Sequence, residues 1–206
     1  CETTIYLAPD AGCIAARIKE LDNMNLLCIG DSVTYGYDVA PQNRWTYILA
    51  SQTGMQVCNE GLCGDTTAGM LQRLQMMNLM AYDAVFVMGG SNDILQDVPL
   101  KGIETNMQHM MQQITDTGKP LFVGIPLLKK KERAFFGWQR LEDVKRHNDV
   151  LQAYRQWLLT QCQTYGAVPI DFHKRILDAE AASQTSYYAD GVHPNEAGYA
   201  IMAEEA

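Results

Sequence analysis

The chain has 206 residues, 47% of them hydrophobic, and a formal net charge of −8. That is the size and apolar content of one well-buried domain, and the acidic balance argues against a nucleic-acid partner, whose phosphates select a basic face. No run approaches the ~20 apolar residues of a membrane span, and no low-complexity tract marks disorder.

Residues 1–23 open on Cys1 and are set apart as an N-terminal extension. Met24-Asn25-Leu26-Leu27 has the character of a natural opening, so one domain is expected over 24–206. Short apolar runs at 26–29, 55–59, 84–88, 121–125 and 167–170 predict strands. Most lack inside/outside alternation, as expected for strands covered on both faces. Between them, 42–52, 66–77, 103–117, 141–162 and 195–205 carry helical periodicity; Met107, Met110, Met111 and Ile114 mark one such stripe. Alternating strands and helices imply βαβ units and a parallel sheet. The expected fold is α/β: a three-layer α/β/α sandwich around a mainly parallel sheet of about five strands. The methionine stripe is assigned to core packing rather than to an acyl pocket.

The cysteines at 1, 13, 28, 58, 63 and 162 form no Cys-x-x-Cys pair and no zinc-type spacing with histidine. Free thiols in a reducing setting are expected, hence a cytoplasmic location ahead of secretion or a lipid anchor at Cys1. No metal site is indicated.

The unusual polar residues follow the strands. Ile29-Gly30-Asp31-Ser32 comes after the first, Asn59-Glu60-Gly61-Leu62-Cys63-Gly64-Asp65 after the second and Gly89-Gly90-Ser91-Asn92-Asp93 after the third. Asp190-Gly191-Val192-His193-Pro194 precedes the last helix. Open α/β sheets bind ligands at the carboxyl ends of their strands, and all four segments can reach that edge. Acyl transfer assigns them roles. A serine hydroxyl needs a neighbouring base; Ser32 in its turn is the candidate nucleophile and His193 the base. Asp190 can hold the imidazole tautomer and stabilise the imidazolium. The N–H groups of Ser32 and Gly64 and the side-chain amide of Asn92 are candidate oxyanion donors. Singly, these signals have plainer readings: a turn serine, a helix cap at Asn92-Asp93, a turn at Asp190-Gly191. Their ordered combination carries the assignment.

These segments resemble the SGNH hydrolases, also called the GDSL esterase/lipase family, over roughly residues 25–206. The family's four named residues fall on Ser32, Gly64, Asn92 and His193, with Asp190 as the triad acid of its Asp-x-x-His block. Asn59-x-Gly61-x-x-Gly64-Asp65-Thr66 is similar to the second block of the thioesterase and lysophospholipase-type members, and Gly90-x-Asn92-Asp93 to the third. Val33 stands where the family name has leucine. The resemblance implies a flavodoxin-like sheet, a mechanism without metal or cofactor, and hydrolysis of a small-molecule acyl ester through an acyl-enzyme. A carbohydrate O-acetylesterase would use the same residues, and a non-catalytic ligand-binding module of the same fold is the third reading.

The segment 126–140 leaves the same sheet edge and holds Lys129, Lys130, Lys131, Arg133, Phe135, Phe136 and Trp138. It can serve as a rim, with aromatics for an acyl or aryl group and cations for an anionic part. The competing reading makes the lysines a solvated charge run. Asp31, Phe135, Phe136 and Trp138 are the candidate substrate contacts.

Overall fold

The structure, a computed structural model, describes residues 23–131 and 137–206. Five strands form it in chain order: β1 (Asn25–Gly30), β2 (Gln56–Gly61), β3 (Ala84–Met88), β4 (Leu121–Gly124) and β5 (Val168–Ile170). All pair in parallel in the spatial order β2-β1-β3-β4-β5. The chain steps outward from β1 to β2, then returns past β1 to build the other half. The order therefore reverses between β1 and β3, and such a switch point opens a crevice at the carboxyl ends of the two strands.

Each central strand feeds two cores. Leu27 and Ile29 of β1 and Val85 and Val87 of β3 join one apolar cluster, while Leu26, Cys28, Ala84, Phe86 and Met88 join the other. Side chains alternate across a strand, so a continuous apolar run serves both faces of a buried sheet. Helices α3 (Thr67–Met76), α5 (Leu100–Thr115) and α6 (Val144–Tyr165) cover the first face. Met107, Met110 and Met111 are fully buried there, so the methionine stripe is core. Helices α2 (Trp45–Thr53), α7 (Phe172–Ser183) and α8 (Glu196–Glu205) cover the second. Two short helices, α1 (Ser32–Tyr35) and α4 (Ser91–Leu95), begin just beyond the carboxyl ends of β1 and β3.

All five expected strands are present, as are the five expected helices within a few residues of each end. The expectations omit α1, α4 and α7. The first two are single turns of four and five residues, too short for periodicity to mark. Helix α7 buries only Phe172, His173 and Ile176 along its twelve residues, a thin stripe in a polar sequence.

The second core centres on Trp45, which is fully buried with its ring centroid 5.1 Å from Phe86 and 5.5 Å from Phe172. Its indole N–H donates to the Val33 carbonyl at 3.1 Å, joining this core to the turn of Ser32. Replacing Trp45 by Ala removes both the packing and the bond. Urea denaturation of the variant should show a loss of about 3–5 kcal/mol; a loss below about 1 kcal/mol would contradict this account of the core.

Candidate active site

The site begins where β1 stops. Asp31 caps α1, its Oδ1 accepting from the Val33 N–H at 2.9 Å, so Ser32 is the first residue of that helix. The α1 backbone packs tightly on β2: a Cβ on Gly61 would lie 2.2 Å from the Tyr35 nitrogen, so only glycine permits the approach. Asn59 secures the same junction. Its amide donates to the Thr34 carbonyl and the Thr46 hydroxyl, both at 2.8 Å, and its oxygen accepts from the Gly61 N–H at 2.9 Å.

From the opposite end of the chain, the last turn delivers His193. Ser32 Oγ lies 2.8 Å from His193 Nε2, and His193 Nδ1 lies 2.6 Å from Asp190 Oδ2. A carboxylate only accepts, so the proton belongs on Nδ1, which leaves the Nε2 lone pair facing the serine hydroxyl. Asp190 Oδ1 is used differently, accepting the backbone N–H groups of Val192 at 2.9 Å and His193 at 2.7 Å. Burial by itself raises the Asp190 pKa, but the bonds from the His193 ring and from the two N–H groups outweigh it and lower it to about 2. Asp190 is therefore ionised at any working pH. The Tyr37 ring packs over His193 with centroids 4.4 Å apart.

The remaining segments interlock beside the serine. Asn92 Nδ2 gives one hydrogen to the Asp65 carbonyl at 2.9 Å, and its second amide hydrogen is then available to another acceptor. Asp93, next to it, caps a neighbouring helix: its two oxygens take the Thr67 N–H at 2.9 Å and the Thr67 hydroxyl at 2.7 Å. Gly64 sits at φ +79° with open space where a Cβ would be, so backbone conformation selects glycine there. Arg73 on α3 ties these pieces together. Its guanidinium pairs with Asp65 at 2.7 Å and donates to the carbonyls of Glu60 at 2.9 Å and Gly30 at 3.2 Å, bracing the ends of β1 and β2.

Ser32, His193 and Asp190 are thus brought into one hydrogen-bonded line, with Asn92 and Gly64 linked through the Asp65 segment. Phe135 and Phe136 lie outside the described residues. Asp31, expected as a substrate contact, is buried and accepts the Val33 N–H through Oδ1. Trp138 is near the site but turned to Asp190. Its indole N–H donates to Asp190 Oδ2 at 2.6 Å, and its ring is edge-on to Tyr37 and His193. The solvated-run reading fails for Lys129, which is 2% exposed, whereas Lys130 pairs with Glu180 and Lys131 is exposed. Sequence reasoning missed Arg73 and Tyr37, and read Lys129 only as part of its charge run. Each acts on segments remote in the chain, so no local spacing marks it.

A sequence profile of the GDSL-like lipase/acylhydrolase family matches residues 28–201. The chain belongs to that family and is a carboxylic ester hydrolase. It is 25% identical to the esterase TesA of Pseudomonas aeruginosa over 193 residues, 89% of this chain and 87% of TesA. It is 33% identical to an arylesterase of Vibrio mimicus over 112 residues, 52% of this chain and about half (55%) of the arylesterase. Among solved structures, a lipolytic G-D-S-L family protein of Veillonella parvula superposes with a TM-score of 0.77 at 24% identity, over 89% of this chain and 96% of the other. Among the described residues, no helix is long and apolar enough to cross a membrane.

The bond from Trp138 to Asp190 generates a prediction. Trp138→Phe keeps an aromatic ring and removes the donor, so kcat should fall roughly 5–20-fold, about 1–2 kcal/mol, to a similar extent for acetate and octanoate esters. A fall confined to one chain length would instead make Trp138 a substrate contact.

Proposed function

We propose that this hydrolase cleaves small acyl esters through a serine acyl-enzyme, with Ser32 as nucleophile, His193 as general base and Asp190 as the residue that orients it. The single observation that carries this reading is the line of two hydrogen bonds from Ser32 through His193 to Asp190, at 2.8 and 2.6 Å. In the first half-reaction Ser32 Oγ bonds to the ester carbonyl carbon while its proton passes to His193 Nε2. The carbonyl oxygen gains the negative charge, for which Ser32 N–H, Gly64 N–H and Asn92 Nδ2 are the proposed donors. When the tetrahedral centre collapses, the C–O bond to the alcohol breaks and His193 returns the proton to the leaving oxygen. Water then repeats the sequence on the acyl-enzyme, releasing the acid and restoring Ser32.

The ester-hydrolase class belongs to the family; the choice among simple esters, lysophospholipids, thioesters and acetylated sugars belongs to the rim. The segment containing Phe135 and Phe136 is proposed to bound the acyl or aryl group.

Ser32→Ala and His193→Ala should each reduce kcat/KM for p-nitrophenyl acetate by at least about 10³-fold while circular dichroism stays that of the wild type. Wild-type turnover in either variant would overturn the assignment, and no turnover by the wild type on any ester of the panel would favour a binding module. A side-by-side assay of p-nitrophenyl acetate and octanoate, an acyl thioester and an acetylated xylo-oligosaccharide selects the substrate class. A strong preference for the last would install the carbohydrate O-acetylesterase reading.

A further inference from the structure

Lys129 is the one buried lysine among the described residues, at 2% exposure, and nothing in the proposed mechanism uses it. Its Nζ donates to Ser91 Oγ at 3.1 Å, and among the described residues no carboxylate lies within 4 Å to pair with it. The backbone on either side is fixed. Asn148 on α6 holds Lys129 from both directions, its Oδ1 accepting the Lys129 N–H at 2.7 Å and its Nδ2 donating to the Lys129 carbonyl at 2.8 Å. The next residue, Lys130, donates its N–H to the Gly191 carbonyl at 2.8 Å, inside the turn that carries Asp190 and His193. Lys129 thus joins the start of α4, where Asn92 follows Ser91, to the turn of the triad acid.

The charges around it come from several elements. Asp31 from the end of β1 and Asp190 from the last turn both favour the ammonium. Asp93 on α4 and His193 in the last turn act on Asp31, and Tyr154 on α6 feels both Asp93 and Asp31. A buried ammonium is costly to keep, and replacing such a charge by an apolar side chain of similar volume is often neutral or stabilising. Folding alone therefore gives little reason for a lysine here, whereas charge developing on a substrate oxygen beside Asn92 gives one.

We propose that Lys129 is a positioning residue of this esterase, its buried ammonium fixing the Ser91-Asn92 turn through Ser91 Oγ and placing a positive charge at the residue before Asn92. The inference rests on the serine mechanism proposed above. Burial lowers the Lys129 pKa to about 8, against the pull of Asp31 and Asp190. The ammonium therefore loses its proton as pH rises through about 8, and the support it gives is lost with it. The sign for stability is opposite. A lysine whose folded pKa lies below its unfolded value costs stability while protonated, and that cost is relieved as pH rises from about 8 toward the unfolded value.

The test compares the full chain with its Lys129→Met, Lys129→Arg and Ser32→Ala variants, measuring kcat and KM on p-nitrophenyl acetate from pH 6 to 9.5 and the urea midpoint at pH 7. Lys129→Met should lower kcat about 10–100-fold with KM within about threefold, unfold at the same or a higher urea concentration, and lack the alkaline fall that the wild type shows near pH 8. Lys129→Arg keeps a charge that does not titrate in this range, so its alkaline fall should move beyond pH 9.5. A Lys129→Met kcat within twofold of wild type would overturn the inference, as would an unchanged alkaline fall in that variant. If Lys129→Met does not fold, wild type and Lys129→Arg decide: a fall near pH 8 in the first and not the second supports the inference, and the same profile in both overturns it. Ser32→Ala separates the two levels. An inactive Ser32→Ala beside a normal Lys129→Met removes the lysine inference alone; an active Ser32→Ala removes the serine mechanism and the inference with it.

Discussion

The site depends on how Asp190 divides its two oxygens. Oδ1 accepts the N–H groups of Val192 and His193, closing a tight turn, while Oδ2 accepts the His193 ring and the Trp138 indole. One carboxylate thereby sets both the backbone that carries His193 and the rotation of its ring. The bonds from the His193 ring and from the Val192 and His193 N–H groups outweigh the desolvation that would otherwise neutralise it. Because Asp190 and His193 lie three residues apart, their geometry is local, and the fold has only to bring that turn against Ser32.

Bringing it there is the task of the sheet. With the order β2-β1-β3-β4-β5, the turns after β1, β2 and β3 share one edge at the switch point. Helix α8, capped by Asn195 just after His193, packs on α2 and α7 in the second core and so holds the last turn over the same edge. Gly61 lets α1 lie against β2, and Arg73 braces the carbonyl ends of β1 and β2. A change in the Trp45 core reaches Ser32 by one bond, through the Val33 carbonyl.

Much of this was legible in the residues, and the limits have physical causes. Apolar runs covered on both faces announce buried parallel strands, so all five were expected in place. The candidate triad was readable because each member sits in a turn with its own local signal: Gly30-Asp31-Ser32, and Asp190 three before His193. The single-turn helices α1 and α4 were not, since caps and packing form them rather than periodicity. Lys129 misled for a related reason. In the sequence it heads a run of cations that resembles a solvated face, and only the fold turns its first member inward while Lys130 finds Glu180 and Lys131 stays in water. Asp31 invited a substrate role by standing next to Ser32, and the fold buries it with Oδ1 on the Val33 N–H.

The central claim is that Ser32 is the activated nucleophile. Intact-mass analysis with peptide mapping after treatment with a fluorophosphonate tests it most directly, because that reagent is attacked by a serine whose proton has somewhere to go. The account predicts one adduct per chain, on the peptide containing Ser32, and none when His193 is replaced by Ala. An adduct on another residue, or equal labelling without His193, would contradict it.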